Sequence, residues 1–447
     1  MKIVLLPCFC LGLNLAAAVP PAIDPFTDTV PREAVAPKLR VIARDPRVQL
    51  SMHEPVTIMS DDGRQPYLFC TAKGTLLVQA QLRARAFDTK GKYVYHYRIG
   101  TMISRDGGAT WNRFTAQEGH DDVYTEGGIH QEPDGTILML DTFVMPGKQP
   151  DHGVGELWKS HDDLHTWEGP FAVDFTLPGI RFGAGSDDRG VPLPAAWMHR
   201  SMIALPNGDL LTTMYSWFTG DTAPCAYMPS MPKARSVLIR SRDHGATWAY
   251  ESTIAVDGAI GTEGFVEPVL LRVAQGPHAG RLLCYMRTGR ELYGARSDDS
   301  GATWSQPFPV RIPGIDVYRT DLWAHYFVDP KAPGYLPTDQ LYGSEVDPDL
   351  IQMGNGTLVC AVGVRIPQRK YRENWHVPQN GDYLAFSCDG GDTWSQVVQF
   401  TSGAPTTQYM GIREIAPDVL YVAYDDSVWK MPGRAVGFRL EVHRTDR

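Results

Sequence analysis

The stretch Ser104-Arg105-Asp106-Gly107-Gly108-Ala109-Thr110-Trp111 returns four more times in close copy, at Ser160 to Trp167, Ser241 to Trp248, Ser297 to Trp304 and Ser387 to Trp394. The shared pattern is S-x-D-x-G-x-T-W. Asp can accept hydrogen bonds from turn amides, Gly tolerates positive φ, and Trp supplies apolar area to cover one side, so each copy reads as a tight hairpin. The second copy carries Leu164 at the Gly position. Copies at irregular intervals of 56 to 90 residues indicate one supersecondary unit repeated with loops of variable length.

Working outward, strand-turn-strand cores appear at Tyr67 to Gln79, Ile129 to Phe143, Ser201 to Tyr215, Val266 to Met286, Leu350 to Val362 and Ile412 to Tyr424. Each is an apolar run, a turn such as Lys73-Gly74 or Asn207-Gly208, and a second apolar run. No amphipathic helical stretch of convincing length interrupts them. Six such units, each unable to bury its faces alone, predict an all-β, six-bladed β-propeller with the S-x-D-x-G-x-T-W turns on it. Five turn motifs for six blades fit a last blade closed by strands from both termini, with His53 to Met59 as the N-terminal contributor. A β-sandwich is disfavoured by the chain length, and a β-helix by the irregular period.

The chain has 447 residues, a formal charge of -9 and no Lys/Arg run, which argues against nucleic-acid binding while allowing a local basic pocket for a small anion. Met1-Lys2 and the apolar run Ile3 to Ala18 read as a secretory signal with Ala16-Ala17-Ala18 at the cleavage site. The run is short for a membrane span. A lipoprotein reading on Cys8 or Cys10 meets Pro7 where a small residue belongs. The expected layout is therefore a signal peptide over 1–18, a Pro-rich arm over 19–50 and one propeller domain over 51–447, in a secreted or periplasmic protein. Five cysteines remain after the leader, Cys70, Cys225, Cys284, Cys360 and Cys388, an odd number that makes no disulfide framework. No CxxC or HExxH pattern marks a metal site, and the reading requires no metal and no cofactor.

S-x-D-x-G-x-T-W is similar to the Asp box, and a six-bladed arrangement of Asp boxes resembles the sialidase (neuraminidase) superfamily over nearly the whole mature chain. Asp boxes lie on outer hairpins in that family, so they bear on the fold and function must come from central residues. The resemblance implies three arginines that clamp a substrate carboxylate, a Tyr nucleophile activated by a Glu, and an Asp that protonates the leaving oxygen.

Arg64-Gln65-Pro66 ahead of the Lys73-Gly74 turn resembles the stretch that carries the first arginine, with Gln65 replacing Ile. Arg64 is the first clamp residue on this register; without the register a solvated turn residue would be the preferred reading. The acid Asp falls in the loop Leu82 to Gly91, where Asp88 is the one Asp; an exposed turn residue is the competing reading. Glu267-Pro268 and the returning strand ending at Arg287 resemble the family's Glu and second arginine, with Glu263 as the rival Glu. Tyr409, opening the last blade, matches the nucleophile, while Tyr421 and Tyr424 alternate with apolar neighbours as packing residues. The third arginine lies among Arg365, Arg369 and Arg372, with Arg365 first because it ends a strand as Arg287 does. Arg365-Ile366-Pro367 and Arg98-Ile99-Gly100 imitate the first-arginine motif without its register.

His199-Arg200, Glu345 and Asp347 add charge to strand starts that would face the centre, either as binders of sugar hydroxyls or as solvated strand ends. The implied activity is retaining exo-α-sialidase hydrolysis of a sialylated or other acidic glycan. Two alternatives stay open: a glycosidase or lyase on another uronic or keto-acid sugar, with His199 as the lyase base, and a non-catalytic glycan-binding propeller.

Overall fold

In a computed structural model of the chain, the described residues are 37–446 apart from 61, 88–92, 116–122, 186–193, 227, 320–330, 332–340, 369–370, 372–375 and 427–432. Among them the fold is all-β, and the one helical turn described is a 3-10 turn at Thr125–Gly127. No helix of the described residues is long and apolar enough to cross a membrane. Among the described residues Cys70, Cys225, Cys284, Cys360 and Cys388 form no disulfide.

The strands form small, mostly meandering antiparallel sheets. Arg64–Cys70, Leu76–Phe87, Tyr93–Ser104 and Asn112–Phe114 make the first, and Val266–Arg272, Leu282–Arg287, Tyr293–Ser297 and Phe308–Pro309 another. Ser344–Gln352, Leu358–Arg365, Gly381–Ser387 and Gln396–Gln399 make a third, with Arg40–Ala43 added at its outer edge. In the last sheet Met410–Ala416, Val419–Asp425 and Ala435–Arg444 are completed by Val48–Met52 and Val56–Met59, which both pair with the C-terminal strand. Closure by both ends of the chain is thus observed. The expected surface arm is in part sheet, because residues 40–43 and 48–52 find unpaired strand edges whose backbone groups they satisfy.

The remaining sheet has ten strands. It contains the meander Gly128–Gln131, Ile137–Leu140, His152–Ser160, Glu168–Thr176 and a second meander through Leu210–Ser216, Arg235–Ser241 and Thr247–Ala255. The two outer strands join in parallel, Asp174 opposite Thr247, and Phe143–Pro146 bridges the other ends.

Packing is face to face around a closed circuit, in a propeller-like arrangement. Alternate residues of one strand enter different cores, so most inner strands are buried on both faces and read as continuous apolar runs. Tyr67 and Phe69 pack with Ile137, Met139 and Trp158 on one side, whereas Leu68 packs with Tyr421 and Ala423 on the other. Leu358, Cys360 and Val362 likewise meet Val269 and Leu283, while Val359 and Ala361 meet Ile412 and Val422. The circuit is completed by Leu138 and Leu140 against Leu210 and Met214, and by Leu211 and Leu238 against Leu270 and Leu282.

The five repeated turns share one hydrogen-bond plan. Ser Oγ accepts the amide four residues on, at 2.9 Å from Gly108, 2.9 Å from Leu164, 2.8 Å from Gly245, 2.8 Å from Gly301 and 3.0 Å from Gly391. Asp Oδ1 accepts the Thr amide at 2.8 to 2.9 Å in each copy. Leu164 adopts φ 65° and in exchange buries its side chain fully beside Trp167. Gly108 has a stricter reason for being Gly, because a Cβ there would lie 2.1 Å from the Tyr421 ring of the last sheet.

At the centre, His199 and Arg200 reach across to almost every sheet. Arg200 is 1% exposed. Its Nε lies 3.2 Å from Glu126 Oε1, its Nη2 2.5 Å from Asp347 Oδ2, its Nη1 3.6 Å from Asp349, and Nη1 also donates to Met410 O. Tyr67 Oη donates to Arg200 O at 3.5 Å, and His199 Nδ1 sits 3.1 Å from Pro268 O. Removing one member of such a buried ion network strands its partners. Arg200→Ala should therefore lower the unfolding free energy by about 3–5 kcal/mol in urea titration; a loss under about 1 kcal/mol would show that the network is not holding the sheets.

Candidate functional site

The innermost strands begin at the centre with a repeated backbone device. Gln65, Glu267 and Asp347 have φ of 53°, 48° and 48°, and Arg200 and Gln408 of 55° and 57°. Such left-handed non-glycine residues are held only where the surroundings over-determine them. The register of the ladder shifts between Arg64 and Tyr67, between Val266 and Val269, and between Val346 and Asp349. Each bulge re-aims the polar side chains beside it towards the centre. Proline follows in all three cases, at Pro66, Pro268 and Pro348.

Three of the expected residues meet directly. Tyr409 Oη donates to Glu267 Oε1. Arg287 Nη1 lies 2.8 Å from Glu267 Oε1 and 3.1 Å from Tyr409 Oη, so a cation touches both ends of the Tyr–Glu bond. Tyr409 and Glu267 are each 8% exposed. Burial by itself would raise the Glu267 carboxyl, but the Arg287 cation, followed by His199 and the Tyr409 hydroxyl, outweighs it and holds the group below its ordinary range. The Tyr409 phenol is pushed the other way by burial and by the Glu267 charge. At rest the pair is a protonated phenol hydrogen-bonded to an ionised carboxylate.

Arg365 joins the group from the next sheet. Its guanidinium lies between two rings, 4.3 Å from the Tyr371 centroid and 5.2 Å from that of Tyr409. Nη2 donates to Thr407 O at 2.9 Å, Nε is buried without a hydrogen-bond partner, and no carboxylate of the described residues forms an ion pair with it. Burying such a cation is expensive unless a ligand anion completes it. Arg369 and Arg372 lie outside the described residues, as does Asp88.

Arg64 is buried to 1% exposure beside Asp62, Nε to Oδ1 3.5 Å, so the solvated-turn reading of Arg64 is corrected. Its connection to the other three runs through Asp425. That carboxylate accepts the Gln65 amide at 2.9 Å and the Thr407 amide at 2.8 Å, and Thr407 is the residue that binds Arg365. Arg64 makes no hydrogen bond or ion pair to Tyr409, Glu267, Arg287 or Arg365.

His199, Arg200, Glu345 and Asp347 are 4%, 1%, 2% and 0% exposed, which corrects the reading of them as solvated strand ends. Glu345 Oε2 accepts the Leu292 amide at 2.6 Å, and burial lifts its carboxyl to about 8. Asp347 supports the Tyr–Glu pair from behind. Its amide donates to Glu267 Oε2 at 3.2 Å and its Oδ2 accepts the amide of Met410, next to Tyr409, at 3.3 Å. Glu126, His199 and Asp347 place ligand atoms within 4.8 Å of one another, but the Arg200 guanidinium already occupies both carboxylates. They therefore form an ion-pair network around an organic cation. Sequence reasoning missed this support, although Asp347-Pro348 at a strand start repeats Glu267-Pro268.

Comparison with known proteins found no matching family model and no matching curated protein. Among solved structures, a protein of unknown function from Dyadobacter fermentans is 18% identical with a TM-score of 0.58, covering 89% of this chain and 100% of its own. A Hadza microbial sialidase is 16% identical with a TM-score of 0.54, covering 88% of this chain and 69% of its own. A Penicillium chrysogenum α-L-arabinanase is 14% identical with a TM-score of 0.52, covering 88% and 98%. Likeness at these identities shows a shared fold.

Asp382, on the strand Gly381–Ser387, holds the loop that leads into Tyr409 and yields a pH prediction. Asp382 Oδ2 accepts Thr401 Oγ1 at 2.8 Å and Thr406 Oγ1 at 3.2 Å, and burial, reinforced by Asp425, raises its carboxyl from 3.8 to about 8. A raised folded value contributes stability fully present below the unfolded value and lost as pH rises through the folded one. Asp382→Asn keeps hydrogen-bonding capacity without that loss. Its stability relative to wild type should improve between about pH 4 and about pH 8 and level off above that in urea titrations; a pH-independent difference would contradict the assignment.

Proposed function

We propose that the protein is a retaining exo-α-sialidase-like glycosidase acting on sialylated or related acidic glycans. The observation that carries this reading is the contact of Tyr409 Oη with Glu267 while Arg287 Nη1 touches both. A sugar whose anomeric carbon bears a carboxylate repels a carboxylate nucleophile, and a neutral phenol avoids that repulsion. A Tyr whose proton passes to an adjacent ionised Glu suits that substrate, and Arg365, with no carboxylate partner among the described residues, supplies a cation beside the phenol ring for its carboxylate.

In the proposed reaction Tyr409 Oη attacks the anomeric carbon as its proton moves to Glu267, and the bond from that carbon to the leaving oxygen breaks. The leaving oxygen takes a proton, from Asp88 as the family resemblance implies. Water then attacks the anomeric carbon and gives a proton to the Asp88 carboxylate left by the first step; the bond from that carbon to the Tyr409 oxygen breaks, and the phenolate recovers its proton from Glu267. Arg287 stabilises both the Glu267 carboxylate and the developing phenolate. No metal or cofactor takes part in these steps.

The blade count and the location belong to the same proposal. Reading the ten-stranded sheet as two blades fused through the Asp174–Thr247 pairing gives six blades, and the apolar leader ending at Ala18 directs the chain to the periplasm or exterior. The sialidase and arabinanase among the similar structures agree with a glycan-active propeller. Another acidic sugar would suit the same arginines. The lyase alternative is less favoured, since His199 is buried with both ring nitrogens turned to protein groups.

Release of methylumbelliferone from its α-sialoside tests the reading. Wild type should turn over, and Tyr409→Phe should lower kcat by at least about a thousandfold. A phenylalanine variant with wild-type turnover would remove Tyr409 from the chemistry.

A further inference from the structure

Arg287 has a second carboxylate partner. Its Nε lies 2.6 Å from Glu263 Oε1 and its Nη2 3.4 Å from Glu263 Oε2, while Nη1 is engaged by Glu267 and Tyr409. The fork that would grip a substrate carboxylate side-on, Nε together with Nη2, is thus covered by a protein carboxylate. Glu263 is 5% exposed.

The loop that carries Glu263 is locked in place. Thr262 and Glu263 both donate their amides to Thr288 O, at 2.8 and 3.3 Å, and Glu263 O accepts the Ala234 amide at 3.0 Å. Gly261 and Gly264, at φ 62° and 83°, bring the backbone so close that a Cβ on either would stand 2.2 Å from a carbonyl oxygen, of Thr288 and Ala234 respectively. Among the described residues Glu263 and Glu267 both pair with Arg287 and neither pairs with Arg365.

We infer that Glu263 is a specificity-determining residue: it withdraws Arg287 from the carboxylate clamp and leaves Arg365 as the principal seat of the sugar's carboxylate. Arg287 becomes the electrostatic partner of the Tyr409–Glu267 pair. The Glu263 carboxylate beside Arg287 weakens the hold on the carboxylate of an anionic sugar. This inference rests on the proposed acidic-sugar reading.

The test is calorimetric binding of 2-deoxy-2,3-dehydro-N-acetylneuraminic acid and of its methyl ester to the full chain and to Glu263→Gln. The variant should bind the acid about tenfold more tightly, because a charge repelling the carboxylate is gone, and should bind the ester with unchanged affinity. A gain in affinity cannot arise from misfolding. Unchanged or weaker binding of the acid, or an equal gain for the ester, would overturn the role of Glu263. Failure of the wild type to bind the acid at all would instead overturn the acidic-sugar reading. Should Glu263→Gln not fold, Arg365→Gln serves: it should abolish the preference for acid over ester, and a retained preference would refute the assignment.

Discussion

A propeller-like ring has no single core, so something must fix its sheets about their common axis, and here the dipeptide His199-Arg200 does so. Arg200 binds Glu126, Asp347 and the Met410 carbonyl and accepts from Tyr67, while His199 reaches Pro268. The hydrophobic interfaces between sheets are non-directional and would tolerate small rotations. A buried guanidinium with fixed donors tolerates far less, since an unmet donor or carboxylate in that setting costs several kcal/mol.

The candidate site is built on that network. Asp347 binds Arg200 with its carboxylate and Glu267 with its amide, and it also receives the Met410 amide. Glu267 and Tyr409 belong to different sheets, 142 residues apart in sequence, and come into contact because both are tied to the same Asp. The left-handed backbone at Glu267 and Asp347 is the local cost of aiming these groups inward, and the ionic network supports it. Arg287 transmits the same logic outward, from Glu267 and Tyr409 to Glu263.

Much of this was legible in the chain because its signals are local. The Ser, Asp and Thr of each repeated turn and the amide at its Gly or Leu164 position satisfy one another within a few residues, so their spacing alone foretells the hairpins. Glu267, Arg287 and Tyr409 were placed by register relative to strand ends, and strand ends are where the ring converges. Arg365 was favoured over Arg369 and Arg372 on the same argument. What the sequence did not disclose is the pairing across the ring. Nothing near Glu263 indicates that it will face Arg287 rather than replace Glu267, and nothing near Arg200 indicates partners at residues 126 and 347. Residues 40–43 and 48–50 read as an arm because the stretch 19–50 around them is rich in Pro and charge, and they are strands because open sheet edges are available. Asp88, whose loop is not among the described residues, keeps only the support of the resemblance.

The central claim is that Tyr409, and no carboxylate, bears the glycosyl intermediate. The most direct measurement is to inactivate the protein with 2,3-difluorosialic acid, which forms but slowly releases such an intermediate, and to locate the added mass by peptide mass spectrometry. The account predicts the sugar on the peptide containing Tyr409, bonded through the phenol oxygen. An adduct on Glu263 or Glu267 would contradict it, and so would hydrolysis of sialosides without any adduct at Tyr409.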